Sequence, residues 1–207
     1  MKIINAKKAR GSQVKIIFED ESEILLDKEY FLNSTLSIGL DLDESEIEKI
    51  KVESDFIRAK ARAVYYLSNG DLSKKSLTQK LKTAGFLEQN VQKAVERMVQ
   101  LGYVDDYKYA LRLAESFKNQ NISLLEAKHK MYEKGIPNDV INEAIAFYDA
   151  DPVEQIKNII AKKYSAKLNT PENVNKVFAA LVRKGFSFAD VKTALRLYAE
   201  DIEFSED

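Results

Sequence analysis

The sequence runs to 207 residues, 45% apolar and 31% charged, with 32 basic against 33 acidic side chains and no cysteine. The missing cysteines exclude disulfides, thiolate nucleophiles and thiolate metal sites, and suit a reducing compartment. No stretch approaches the roughly 18 consecutive apolar residues of a membrane span, and the start, MKIINAKKAR, lacks a signal peptide's apolar segment, so a cytoplasmic protein is expected.

In chain order, Ile3 to Lys8, Val14 to Phe18 and Ile24 to Asp27 are short β-prone runs separated by Gly11-Ser12 and Asp20-Glu21-Ser22. They predict a small antiparallel sheet whose buried face carries Val14, Ile16 and Phe18, covered by a short helix over Tyr30 to Ser37. From Asp43 the chain reads as helical, with Ser45 and Glu48 spaced as a capping box. Residues 1–54 are thus an N-terminal accessory segment.

The remainder repeats itself. Aligning Gly85, Gly135 and Gly185 gives a period of 50 residues without a gap. Four positions before the glycine stand Leu81, Met131 and Leu181; one after it stand Phe86, Ile136 and Phe186; six after it stand Val91, Ile141 and Val191. Nine after it every copy has alanine, at Ala94, Ala144 and Ala194, followed by Val95, Ile145 and Leu195 and then by Met98, Tyr148 and Tyr198.

Each copy predicts a helix, a glycine stop and a second helix. Ser73 and Ser123 open the first helices, Ser123 with Glu126 as a capping box, and the glycine accepts the positive φ of a helix stop. Val91, Ala94, Val95 and Met98 make one apolar stripe on the second helix. Pro137 and Pro171 suit a first helical turn. A third helix precedes each pair, over roughly 55–69, 105–120 and 151–167, with Asp55, Asp105 and Asp151 as caps. The expected fold is all-α: three tandem three-helix repeats (55–104, 105–150 and 151–199) in an elongated curved array, after a small β-containing segment and before an acidic tail at 200–207.

Charge is uneven along this array. Residues 55–104 hold 9 basic against 4 acidic side chains, 105–150 hold 6 against 8, and 151–199 hold 9 against 4. Arg58, Lys60, Arg62, Lys74, Lys75, Lys80 and Lys82 crowd the first repeat; Lys128, Lys130, Lys134, Lys162, Lys163, Lys167, Arg183 and Lys184 continue the pattern. They are candidate contacts to a partner or to DNA phosphates, and equally a solvated helix surface. Tyr65, Tyr66, Tyr103, Tyr107, Tyr109, Tyr132, Tyr148, Tyr164 and Tyr198 are assigned to core or inter-repeat packing rather than base stacking. Asp105 and Asp106 read as a cap, not a metal or acid–base pair, and His129, the only histidine, as a surface residue. Neither a catalytic constellation nor a cofactor motif is present.

The stretch L-G-Y-V-D-D-Y-K-Y-A at Leu101 to Ala110 is similar to the joint G-[YL]-[ILV]-[DN]-D-x-x-[YF]-A of the RecX family. S-x-x-x-L-x-x-K-L-x-x-x-G-F at Ser73 to Phe86, K-G-I at Lys134 to Ile136 and R-K-G-F-S at Arg183 to Ser187 extend the resemblance over roughly residues 55–198. It implies three tandem three-helix repeats, no catalytic activity, and docking in the groove of the RecA filament on single- or double-stranded DNA. That role restrains homologous recombination, DNA repair and the SOS response. The near-neutral total shifts weight from independent DNA binding to a protein surface, and Ala180 stands where the first two repeats have Lys80 and Lys130. A monomer is expected. The alternatives are a sequence-independent DNA-binding helical-repeat protein and an adaptor for another protein.

Overall fold

The computed structural model describes residues 1–168 and 170–205, with side chains described as far as Tyr198. It is mostly helical with a small N-terminal sheet, and its contacts divide it into two compact units, Met1–Asp105 and Asp106–Asp207.

The first unit opens with β1 (Ile3–Lys8), β2 (Gln13–Phe18) and β3 (Glu23–Asp27), antiparallel in the order β1-β2-β3. The period-2 pleat puts Ile16, Phe18, Ile24 and Leu26 on one buried face. Asp27 then caps α1 (Lys28–Asn33), its carboxylate accepting from the Glu29 and Tyr30 N–H groups. With six residues and no fully buried side chain, α1 covers the sheet only in part, through Tyr30 and Phe31. The rest of the cover comes from Leu42 and the first half of α2 (Glu44–Ser68), through Ile47 and Ile50.

Helix α2 starts where expected, with Asp43 as its N-cap. Its capping box is Asp43 with Glu46, each carboxylate accepting from the other residue's N–H at 2.8 Å, rather than Ser45 with Glu48. No glycine or proline interrupts 44–68, so the helix expected to begin near Asp55 is the second half of a 25-residue rod. Asp55 therefore caps nothing of its own: its carboxylate accepts from Leu87 N–H at 3.2 Å and Asn90 Nδ2 at 2.9 Å, tying α2 to the start of α4. The unit closes with α3 (Lys74–Thr83), capped by Ser73, and α4 (Glu88–Gln100). Ala59, Ala63, Leu77, Leu81, Val91, Ala94 and Met98 form its second core.

The second unit contains α5 (Asp106–Asn119), α6 (Leu124–Glu133), α7 (Asn138–Ile145), α8 (Pro152–Lys163), a 3-10 turn at Ser165–Lys167, α9 (Pro171–Arg183) and α10 (Phe188–Ser205). Residues α5–α7 share one core and α8–α10 another. Asp151 caps α8 as expected, Asp105 directly precedes α5, Pro171 sits in the first turn of α9, and Pro137 is the cap residue before α7 rather than within its first turn. The acidic side chains predicted to form a tail at 200–207 lie outside the described residues.

The glycine stops share one geometry. Gly85, Gly135 and Gly185 have φ of 84°, 80° and 86°. In each case the next N–H reaches back five residues, from Phe86 to Leu81, Ile136 to Met131 and Phe186 to Leu181, while the glycine N–H bonds three residues back. This 6→1 and shorter bond pair satisfies the last carbonyls of the helix and needs a left-handed residue at its centre. The aligned apolar positions are buried alike: Leu81, Met131 and Leu181 completely, and all three alanines completely.

Candidate functional site

The fifteen predicted cations divide between the units, and helix geometry accounts for many of them. Lys80 and Lys82 lie in the last turn of α3, Lys130 in that of α6, Lys162 and Lys163 in that of α8, and Arg183 in that of α9, while Lys134 and Lys184 are C-cap residues. A cation there offsets the negative end of the helix dipole, a structural reason that needs no ligand. Lys82 also pairs with Glu88 at 2.8 Å, which lowers the Glu88 carboxyl pKa, and Lys130 stands 3.4 Å from Glu126. Lys128 is half-buried within α6, and Lys167 lies 5.9 Å from the Tyr164 ring. Lys74 and Lys75 differ: they occupy the first turn of α3, where the dipole disfavours positive charge.

The first unit does bring candidates from two helices together. The Tyr66 ring has the Arg62 guanidinium at 5.8 Å and the Lys80 ammonium at 5.5 Å, joining α2 to α3 by cation–π contact. Arg62 also lies 5.7 Å from Tyr65, Arg58 5.6 Å from Phe86, and Lys60 5.9 Å from Phe56. A depression of about 450 Å³ opens beside this cluster, lined by Tyr66, Ser76, Gln79, Lys80, Thr83 and Ala84.

The tyrosines separate into two classes. Tyr66, Tyr107, Tyr109, Tyr148, Tyr164 and Tyr198 pack against the cores as expected. Tyr65, Tyr103 and Tyr132 do not: they are 58%, 61% and 54% exposed, so their assignment to packing is overturned. Tyr103 is set outward because Gly102 takes a positive φ after α4 and Val104 fills the core instead. His129 is on the surface, 3.4 Å from Glu133.

In the second unit a cavity of about 290 Å³ is lined by Ser123, Leu125, Tyr148, Gln155, Phe186 and Asp190, among others. Its polar groups are engaged. The Ser123 hydroxyl accepts from Glu126 N–H at 3.1 Å and donates to the Lys184 carbonyl at 2.6 Å. Ser123 thus supplies its half of the predicted capping box, and the same hydroxyl adds a contact 61 residues away. Tyr148 donates to the Ile122 carbonyl, Gln155 Nε2 donates to the same oxygen at 3.2 Å, and Ser187 donates to Asp190 at 2.6 Å. Burial raises the Tyr148 phenol pKa. Among the described residues no three His, Cys, Asp or Glu side chains converge as a metal site, and no helix is long and apolar enough to cross a membrane.

One cationic run lies outside the fifteen candidates, in the N-terminal segment. Lys2, Lys7, Lys8, Arg10 and Lys15 precede the first acidic residue, Glu19. Lys7, Lys8 and Arg10 are exposed at the β1–β2 hairpin and form no ion pair with a described residue. The signal that could have found it is the absence of any acidic residue before Glu19.

No protein-family model matches the chain. Among curated proteins it is similar to regulatory protein RecX of Clostridium tetani, 25% identical over 95% of this chain and 94% of that one. It is 28% identical to regulatory protein RecX of Clostridioides difficile, over 93% and 92% of the two chains. A crystal structure of regulatory protein RecX superposes with a TM-score of 0.68 at 22% identity, covering 94% of this chain and 98% of that one. The crystal structure of RecX from Lactobacillus salivarius does so with a TM-score of 0.61, also at 22% identity, covering 71% and 98%.

Proposed function

We propose, on the premise that this chain belongs to the RecX family of regulatory proteins, that it binds the RecA filament on DNA and restrains recombinase activity in homologous recombination, DNA repair and the SOS response. The observation that carries this reading is the extent of the similarity: it runs through the N-terminal sheet and both units, not through one helical segment alone. The chemistry is that of a binder. Exposed cations punctuate the helix ends, and the polar groups of the cavity in the second unit serve the joint between α6 and the α9–α10 turn. The protein works as a monomer in the cytosol, without a cofactor, and acts where the filament lies on DNA.

The test is direct. Purified protein at amounts stoichiometric with RecA is added to filaments on single-stranded DNA, and filament length and ATP hydrolysis are followed. Shorter filaments and reduced hydrolysis are expected; unchanged values for both reject the reading.

A further inference from the structure

We propose that the basic end of the N-terminal sheet and one face of α2 form a single strip that binds the phosphate backbone of single-stranded nucleic acid. The strip is independent of the recombinase reading, since it requires only this chain.

The sheet carries its two turns' charges at opposite ends. An antiparallel hairpin places the β1–β2 tip, with Lys7, Lys8 and Arg10, at one end and the β2–β3 turn, with Glu19, Asp20 and Glu21, at the other. Lys28 belongs to the basic end, because its N–H donates to the Ser12 carbonyl at 3.0 Å. Glu29 is the exposed carboxylate beside it.

Helix α2 runs from the acidic end to the basic one. Its approach is fixed by Leu42 N–H on the Met1 carbonyl at 3.1 Å, next to the strand start where Glu19 N–H meets the Lys2 carbonyl at 3.0 Å. Asp43, Glu44, Glu46 and Glu48 therefore gather at the acidic end. Eleven residues on, the Ser54 hydroxyl accepts from Asp27 N–H at 2.6 Å, so α2 passes the basic corner at Ser54. Beyond this point Arg58, Arg62 and Tyr65 follow at i+4, i+8 and i+11, spacings that share one helix face and extend it by about 16 Å.

These groups are available. Lys7, Lys8, Arg10 and Lys28 are exposed and have no ion pair with a described residue; Arg62 is exposed beside the Tyr65 and Tyr66 rings, and Arg58 is half-buried against Phe86. The nearby carboxylates of α2, Glu53 and Asp55, accept from Tyr30 and Asn90, each at 2.9 Å; they keep their charge but are ion-paired with no cation of the strip. The 58% exposed Tyr65 ring beside Arg62 selects the ligand: unpaired bases stack on such a platform, and an acidic peptide has no use for it.

The experiment uses the full chain and a fluorescein-labelled 20-nucleotide oligo-dT without recombinase, with anisotropy read from about 50 to 200 mM salt. The Lys7→Gln, Lys8→Gln, Arg10→Gln variant, checked for fold by circular dichroism, is expected to bind about tenfold more weakly with a salt slope shallower by about 2. Tyr65→Leu is expected to weaken binding about fivefold with the slope unchanged. The charge-matched Lys49→Gln, Lys93→Gln, Arg97→Gln variant is expected to bind as the parent does. Four results overturn the proposal: no binding by the parent at 50 mM salt, an unaltered slope in the hairpin variant, an equal loss in the charge-matched variant, or displacement of the oligonucleotide by polyglutamate as effective as by unlabelled oligo-dT. The last would assign the strip to an acidic protein.

Discussion

Gly85 and Gly185 end their helices with the same φ and the same backbone hydrogen bonds, yet their surroundings differ. A Cβ added at Gly85 would meet nothing within 4 Å. At Gly185 it would lie 2.7 Å from Ser123 Oγ and 3.1 Å from Leu125 Cβ. The first glycine is required by its own helix; the second also seats the start of α6 against the end of α9. A local rule thus explains both residues, but only the second is also part of a joint between helical groups.

The largest effect that tests this difference is Gly185→Ala, expected to cost about 3 kcal/mol in urea unfolding, against about 1 kcal/mol for Gly85→Ala. The positive φ penalises both variants and the crowding penalises one. Equal losses would break the comparison. Ser123→Ala is next, at about 2 kcal/mol, because one hydroxyl both caps α6 and holds the Lys184 carbonyl. In that background Gly185→Ala should become cheaper by at least about 0.5 kcal/mol, a coupling that a double-mutant cycle measures.

Tyr148→Phe sharpens the account of the same joint. It removes the phenol on the Ile122 carbonyl and is expected to lower stability by about 1 kcal/mol, since Gln155 still reaches that oxygen. Thermal unfolding checks it. The smallest effect belongs to the first unit. Burial, then the hydrogen bond and charge of Glu53, push the Tyr30 phenol up to about 12. A raised folded pKa means that the contribution is complete below about pH 10 and lost as pH rises through the folded value. Urea midpoints should accordingly fall between about pH 10 and 12, and Tyr30→Phe should flatten that decline.

Much of the fold was legible because it is local. The three strands are found within one residue of their predicted limits, as Gln13 for Val14 and Glu23 for Ile24 show. Ser73, Ser123 and Asp151 cap the helices they precede. The misreadings share a different cause. Asp55 looked like a cap because helix starts favour aspartate, but its partners are 32 and 35 residues away on α4. Tyr65, Tyr103 and Tyr132 occupy positions that a hydropathy pattern assigns inward, and packing of their neighbours left them outside. Of the candidate cations, sequence supplied the inventory, while only coordinates brought Arg62 and Lys80 to one tyrosine ring.

By itself the sequence determined the alternation of helix and stop, since a cap, a glycine turn or an apolar stripe depends on residues within about four positions of one another. The tertiary structure alone decided that α2 serves two cores, that the Ser123 hydroxyl meets the Lys184 carbonyl, and that Lys7, Lys8, Arg10 and Lys28 share one end of the sheet. These depend on how separately formed elements pack, and burial, unlike a hydrogen-bonded turn, does not record which distant segment supplies the covering surface.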